Sequence, residues 1–185
     1  AGGGTATVET YTSETTDFKT ALLKLKEVGA DLVVVVAQTP EKYGVIFKQI
    51  QDMDWKPKQM IVSEVAGGDT SLFKEYKDFM EGMWSADFNY DTTYQPFMDI
   101  ATKYKEKYAE DLPYKSFAAT GYDAIHVIAD ALTAVGNDGE KIKNYFYTVK
   151  DRVGAIGKLS FDENGDLVGG YIQVIGKDGT WVKVE

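Results

Sequence analysis

Two apolar runs in the first third of the chain end directly in polar residues. Residues 33–36 are followed by Gln38 and Thr39, and residues 60–62 are followed by Glu64. A short apolar, β-branched run without alternation is typical of a strand whose two faces are both covered by helices. In open α/β sheets, ligands bind beyond the carboxyl ends of the strands. We therefore predict two buried strands with a candidate binding site at their ends.

A strand and a helix are predicted before the first of these runs. Residues 5–11 alternate and are rich in Thr and Val, which predicts a strand. Apolar residues between positions 18 and 28 recur at helical spacing, and Ser13 or Thr16 can cap that helix. Gly29 supplies the left-handed residue that ends it.

The following segments continue the same alternation. Residues 39–41 are Thr, Pro and Glu, which together provide a cap, a first-turn proline and an acid that the helix dipole favours. A further helix is predicted around residues 72–79 and a further strand at 82–90. This β-α-β-α-β order predicts a parallel sheet with right-handed crossovers.

The second half of the chain changes character. Residues 94–149 show three successive helical patterns with no clear strand between them. Strand patterns then return at residues 158–161 and 170–175, around the turn pair Asn164-Gly165, and again after Asp178-Gly179. We predict an α/β fold with a parallel βαβ sheet, extra helices and antiparallel hairpins at the end. The expected divisions are residues 1–91, 92–152 and 153–185.

Composition narrows the possible functions. The 185 residues include 29 acidic and 20 basic side chains, and the formal charge of −9 disfavours binding to nucleic acid or to anionic membranes. The sequence has no Cys and no apolar run of membrane-spanning length. His126 is the single histidine, set in a predicted helix among apolar neighbours, where a structural role is favoured. We find no motif for a nucleophile, a metal cluster or a cofactor loop, so we expect no cofactor, no metal and no enzymatic activity.

Several short segments together carry a resemblance to a known family. They are residues 12–18 with Leu22 and Leu25, residues 29–34, residues 61–64, residues 117–124 and residues 157–166. In this order and spacing the chain resembles the second lobe of the type I periplasmic binding proteins. The most similar branch is that of the branched-chain amino-acid-binding proteins of bacterial ABC importers.

The resemblance implies a two-lobed clamp that closes on a small polar ligand. It places Glu64 where an acidic residue accepts the α-ammonium group of the ligand, and Phe117 where an aromatic ring lines the side-chain pocket. Gln38 corresponds to a residue that faces the cleft, with Thr39 beside it. The branched-chain binders carry Tyr at the Gln38 position, so the difference favours a smaller or more polar ligand.

The expected function is therefore that of a non-catalytic solute-binding protein that delivers an amino acid or related amine to an ABC transporter permease. Such a protein is expected in the periplasm or outside the cell, and its parent can be a membrane-tethered lipoprotein. Two alternatives stay open. The same architecture could carry an amidase-like or hydrolase-like enzyme that uses Glu64, or it could be the ligand-sensing domain of a receptor.

The resemblance also implies that this chain is about half of a larger protein. In the family, the helices of residues 94–149 return to the first lobe and cover its sheet. A stripe made of Phe97, Ile100, Tyr104 and Tyr108 would then lack a partner here. We expect another chain, a cleaved fragment or a swapped copy to supply the missing first lobe.

Overall fold

The computed structural model describes residues 3–67 and 71–184. The helices are α1 (Lys19–Glu27), α2 (Pro40–Asp52), α3 (Glu64–Gly67), α4 (Phe73–Met80), α5 (Gln95–Tyr108), α6 (Lys115–Val135) and α7 (Gly139–Thr148). The strands are β1 (Leu32–Val35), β2 (Gln59–Val62), β3 (Trp84–Phe88), β4 (Arg152–Gly154), β5 (Gly157–Leu159), β6 (Tyr171–Lys177) and β7 (Thr180–Lys183).

The described residues form two compact units. Unit 1 contains the chain up to Ala86 together with the segment from Gln173 onward, and unit 2 contains Asp87–Ile172. Residues 153–172 group with the helices of unit 2, and the segment from Gln173 onward groups with unit 1. A local cause is visible at the β4–β5 turn. Asp123 of α6 accepts hydrogen bonds from the N–H groups of Ala155 and Ile156, at 2.6 and 2.9 Å.

A five-stranded sheet has the order β1-β2-β3-β6-β7. Strands β1, β2 and β3 are parallel, as predicted, and Val35 of β1 stands opposite Val62 of β2. Strands β6 and β7 are antiparallel and are joined at Asp178-Gly179, both of which have positive φ. That turn confirms the second hairpin predicted from sequence. The α/β class with parallel strands, extra helices and antiparallel hairpins is therefore the observed one.

The core of unit 1 lies on one face of its sheet. Val33 and Val35 point into a cluster with apolar side chains from α1, α2 and α4. Leu32, Val34 and Val36 point the other way and are 49%, 59% and 68% exposed. The prediction that helices cover both faces of β1 is therefore wrong for the described residues. An unbroken apolar run indicates that both faces of a strand carry apolar side chains. It does not indicate whether other parts of the same chain pack on both faces.

Residues 5–11 do not form the predicted strand. They have no regular secondary structure, and all of their side chains except that of Glu9 are exposed. The Glu9 carboxylate pairs with Lys24 at 2.9 Å, and the Tyr11 hydroxyl donates to the Val36 carbonyl at 2.5 Å. The alternating pattern describes a segment suited to a sheet, but a strand also requires a neighbour that pairs with its backbone.

Helix α1 begins differently from the prediction, and its end is as predicted. Its N-cap residue is Phe18, and neither Ser13 nor Thr16 caps it; the Asp17 carboxylate accepts from the Lys19 N–H at 2.9 Å. Gly29 follows the helix with φ of +68°, as predicted. Asp is as good a cap former as Ser or Thr, so composition alone could not decide among the three positions.

Unit 2 contains the three predicted helices α5, α6 and α7. The exposed apolar stripe was expected on α5 and is found on α6. Phe97 of α5 is buried, and Ile100 and Tyr104 pack against the cluster around it, whereas Tyr108 is exposed. The expectation that this whole stripe lacks a partner is therefore wrong. The exposed apolar stripe lies on α6 and consists of Ile125, Ile128 and Leu132.

The first predicted hairpin is also paired differently. Strand β5, which overlaps the start of the predicted 158–161 segment, pairs with β4. An isolated bridge between Phe161 and Leu167 and a hydrogen bond from the Val168 N–H to the Ser160 carbonyl span the Asn164-Gly165 turn. Turn chemistry indicated the reversal correctly, but β5 pairs with the nearer strand β4, and β6 lies between β3 and β7 in the other sheet. Within the described residues, no helix is both long enough and apolar enough to cross a membrane.

Candidate functional site

Three of the four predicted ligand residues lie at one edge of the unit 1 sheet. Gln38 and Thr39 follow the carboxyl end of β1, and Glu64 follows the carboxyl end of β2. Because these strands are parallel neighbours in register, their following loops leave the sheet side by side. Gln38 is exposed, and Thr39 and Glu64 are half-buried. The sequence prediction of a shared edge for these residues agrees with the structure.

Thr39 is the N-cap residue of α2, with extended backbone angles and Pro40 in the first turn. Its hydroxyl makes no cap hydrogen bond to a backbone N–H. Instead, the N–H of Glu41 and the Thr39 side chain hydrogen-bond the Glu41 carboxylate and lower its pKa. Glu41 is therefore held as an anion at the start of the helix, where the helix dipole stabilises it.

Glu64 is the first residue of the short helix α3. The N–H groups of Ala66 and Gly67 bond to the Ser63 carbonyl at 3.0 and 3.2 Å. The indole N–H of Trp181 donates to the Ala66 carbonyl at 2.8 Å. The residues that follow Glu64 are thus hydrogen-bonded both to Ser63, at the end of β2, and to β7, which holds the backbone of α3 in place.

A buried tyrosine that sequence reasoning did not select lies beneath this edge. Tyr43 of α2 is fully buried, and its hydroxyl is within hydrogen-bond distance of four atoms. They are Val35 O and Ala37 N, each at 3.1 Å, Ser63 N at 3.0 Å and Ser63 Oγ at 2.8 Å. The available signal was its position three residues before Ile46, which places Tyr43 on the apolar stripe of α2. The pattern indicates burial of the ring and says nothing of the hydroxyl.

Phe117, the fourth predicted ligand residue, belongs to unit 2. It lies in the first turn of α6, is 38% exposed, and contacts Phe88 edge-on with ring centroids 5.1 Å apart. Phe88 in turn stacks on Tyr171 at 4.8 Å. Phe117 and Tyr171, which is 60% exposed, are therefore the exposed members of this aromatic group.

Unit 2 also contains a buried carboxyl group next to this aromatic group. Burial raises the pKa of Asp87 to about 6, while the Phe88 N–H and the Ser116 hydroxyl act in the opposite direction. The Phe88 N–H donates to the Asp87 carboxylate at 2.7 Å, whereas Ser116 Oγ has no partner within hydrogen-bond distance among the described residues. Burial, and secondarily the Asp87 carboxylate, also raises the pKa of Tyr90. Composition gave no indication of this group.

The described ranges 3–67 and 71–184 contain no group of three or more His, Asp or Glu side chains placed to hold a metal ion. His126 is exposed on α6 and packs against Tyr122, with ring centroids 4.3 Å apart. Unit 1 thus presents a carboxylate, an amide and a hydroxyl at the carboxyl edge of its parallel strands.

Comparison with known proteins identifies the family. The family model described as "Periplasmic binding protein" matches residues 1–179, and the chain belongs to that family. The Leu/Ile/Val-binding protein homolog 7 of Brucella abortus (strain 2308) is 29% identical over 169 residues, which cover 84% of this chain and 41% of the relative. The family is one of binding proteins, which agrees with the prediction that the chain is not an enzyme.

Solved structures show the same fold. The leucine-binding protein LivK of Thermotoga maritima has a TM-score of 0.71 at 24% identity, covering 95% of this chain and 49% of that one. The substrate-binding protein LivJ of Streptococcus pneumoniae, solved with isoleucine, has a TM-score of 0.65 at 22% identity, covering 94% of this chain and 51% of that one. The chain thus spans about half the length of the proteins it matches.

Proposed function

We propose that this chain is the ligand-binding lobe of a non-catalytic solute-binding protein that captures an amino acid or a related small amine. The observation that carries the proposal is the position of Glu64, at the carboxyl edge of the parallel sheet beside Gln38 and Thr39. Membership of the periplasmic binding protein family supports it. In this proposal the complete protein closes two lobes around the ligand.

The chemistry of Glu64 suits an ammonium group. A carboxylate that accepts N–H bonds from an ammonium forms charge-assisted hydrogen bonds, which are roughly twice as strong as neutral ones. Closure of a cleft removes water and strengthens that attraction further. Gln38 offers both a donor and an acceptor, and Thr39 offers a hydroxyl.

Gln38 bears on the size and polarity of the ligand. The two relatives above with solved structures are described as leucine-binding or were solved with isoleucine. A polar amide in place of the Tyr that branched-chain binders carry favours a smaller or more polar side chain on the ligand. In this proposal the exposed part of the Phe117 ring is available for an apolar contact with a ligand.

The proposal includes a further partner, a first lobe that another polypeptide segment supplies. Two apolar surfaces that the described residues leave uncovered support it, one in each unit. The first consists of Leu32, Val34 and Val36 on β1, and the second consists of Ile125, Ile128 and Leu132 on α6. Covering a Val, Leu or Ile side chain fully contributes about 1.5–3 kcal/mol, so soluble proteins seldom leave such surfaces in water.

The proposal also covers the delivery of the ligand and the location of the complete protein. The complete protein is proposed to work in the periplasm or outside the cell, where it presents its ligand to the permease of an ABC transporter. The family to which the chain belongs supports this location. A lipoprotein anchor on the parent is compatible with it.

Substitution of Glu64 tests the function. The complete protein is screened against the twenty L-amino acids by thermal shift, and the best ligand and its deaminated acid are then titrated by calorimetry. Glu64→Gln is expected to cost about 1.5–3 kcal/mol, or roughly tenfold to a hundredfold in affinity, for the amino acid and far less for the deaminated acid.

The matched control is Glu27→Gln, which removes an exposed carboxylate at the end of α1, just before β1 and therefore at the opposite edge of the sheet. Its affinity should equal that of the unmodified protein. Equal losses for the amino acid and its deaminated acid would refute the assignment of Glu64 to the ammonium group.

A further inference from the structure

The hydroxyl of Tyr43 joins the ends of the two strands that precede the candidate ligand residues. On the β1 side it contacts Val35 O and Ala37 N, and Ala37 directly precedes Gln38. On the β2 side it contacts the N–H and the hydroxyl of Ser63, which directly precedes Glu64. One oxygen atom, belonging to a helix residue, thus bonds to the backbone of both loops.

The number of donor and acceptor positions on the Tyr43 hydroxyl determines which of these groups donate to it and which can accept from it. A tyrosine hydroxyl has two acceptor positions and one proton. The N–H groups of Ala37 and Ser63 occupy both acceptor positions, so the single proton is directed to Val35 O or to Ser63 Oγ. Both acceptor positions and the proton of the hydroxyl therefore take part in hydrogen bonds, and its removal takes the acceptor away from the Ala37 and Ser63 N–H groups.

The packing around Tyr43 holds its hydroxyl in place. Its side chain has no exposed surface, and its ring packs on Phe47 with centroids 5.8 Å apart. Helix α2 begins at Pro40, directly after the loop that carries Gln38 and Thr39. The same helix therefore starts at one binding loop and, one turn later, bonds to the backbone of the other.

We propose that Tyr43 is a positioning residue that sets the spacing between Gln38 and Glu64 and thereby the fit of the ligand. The inference rests on the proposed function for its ligand, and on the hydrogen bonds above for its geometry. Tyr43 does not touch the ligand. It acts through the N–H groups of Ala37 and Ser63, and its loss lets the two loops move independently of each other.

Tyr76 provides a matched control. It is a second buried tyrosine of unit 1, its ring also packs on Phe47, at 5.6 Å, and its hydroxyl donates to the Gly44 carbonyl at 3.0 Å. That carbonyl lies within α2 and not in either loop. Tyr43→Phe and Tyr76→Phe each remove one buried hydroxyl and keep the ring.

The first measurement is amide hydrogen exchange by NMR on the 185-residue chain, which needs no ligand. Tyr43→Phe should raise the exchange rates of the Ala37 and Ser63 amides by about tenfold, since each loses its acceptor. Tyr76→Phe should leave both rates unchanged relative to the rest of unit 1. Equal acceleration of these two amides in both variants would overturn the proposal.

The second measurement is affinity in the complete protein, with the best ligand from the twenty L-amino acids as the probe. Tyr43→Phe is expected to weaken binding by roughly threefold to tenfold, and Tyr76→Phe to leave it unchanged at a similar loss of melting temperature. Unchanged binding in Tyr43→Phe, with weakened binding in Glu64→Gln, overturns the role of Tyr43 and leaves the proposed function standing. Failure of the unmodified protein to bind any amino acid or related small amine overturns the function and with it this role.

Discussion

Gly67 is the position in unit 1 where the smallest substitution should have a large effect. A Cβ atom there would lie 2.2 Å from the Ala86 carbonyl oxygen and 2.7 Å from Ser85 Oγ. Ser85 and Ala86 belong to β3, which lies between β2 and β6 in the sheet. The nearest obstacle is backbone of an interior strand, which cannot rotate away as a flexible side chain would.

The magnitude follows from overpacking of a well-packed region. Forcing a methyl group into such a space costs about 1–3 kcal/mol, because α3 must move away from β3. That movement would also disturb the bond from the Trp181 indole to the Ala66 carbonyl and shift Glu64, the first residue of α3. We therefore expect Gly67→Ala to lower both the stability of the chain and the affinity of the complete protein for its ligand.

Gly44→Ala is the matched control, because the same change should act in the opposite direction there. Gly44 lies inside α2, and a Cβ atom would meet Tyr76 Cε2 at 3.8 Å, an ordinary van der Waals contact. Replacing glycine by alanine within a helix contributes about 0.5–1 kcal/mol.

The assay is urea unfolding of the 185-residue chain followed by far-UV circular dichroism. With a slope of about 1–3 kcal/mol per molar urea, Gly67→Ala should lower the midpoint by roughly 0.5–1.5 M, and Gly44→Ala should raise it by a few tenths. An unfolding midpoint for Gly67→Ala at or above that of the unmodified chain would refute the packing argument. A lowered midpoint in both variants would show that the loss of stability does not depend on the space available for the added methyl group.

Two further predictions concern pH and association. Because burial raises the pKa of Asp87 to about 6, the folded protein binds a proton more tightly than the unfolded chain does. The contribution of Asp87 to the free energy of unfolding should therefore fall by ~1–3 kcal/mol between about pH 4 and pH 6. In urea titrations the stability of Asp87→Asn relative to the unmodified chain should rise by that amount over the same range. Sedimentation of the isolated chain should reveal self-association through its exposed apolar surfaces, and Ile125→Lys and Val34→Lys should each reduce it. A monomeric chain that binds an amino acid by itself would contradict the need for a first lobe.

Local signals in the sequence determined much of the fold. The apolar runs ending at residues 36 and 62 predicted β1 and β2, since β-branched residues favour strands wherever they are buried. Pro40 predicted the start of α2, and Asp178-Gly179 predicted the last hairpin, because each constrains its own backbone angles. The candidate site followed from the same signals: a parallel sheet has a carboxyl edge, and Glu64 stands where β2 ends.

Tertiary structure alone decided which partner each segment finds. Residues 5–11 carry a strand pattern and pair with no strand of the described chain, and Phe97 is buried where its stripe was expected to be exposed. Tyr43 has the pattern of an ordinary core residue, yet its hydroxyl joins two loops that are 26 positions apart at Ala37 and Ser63. Periodicity depends on neighbours within a few residues, whereas these outcomes depend on contacts between distant segments. Such contacts exist only once the chain has folded.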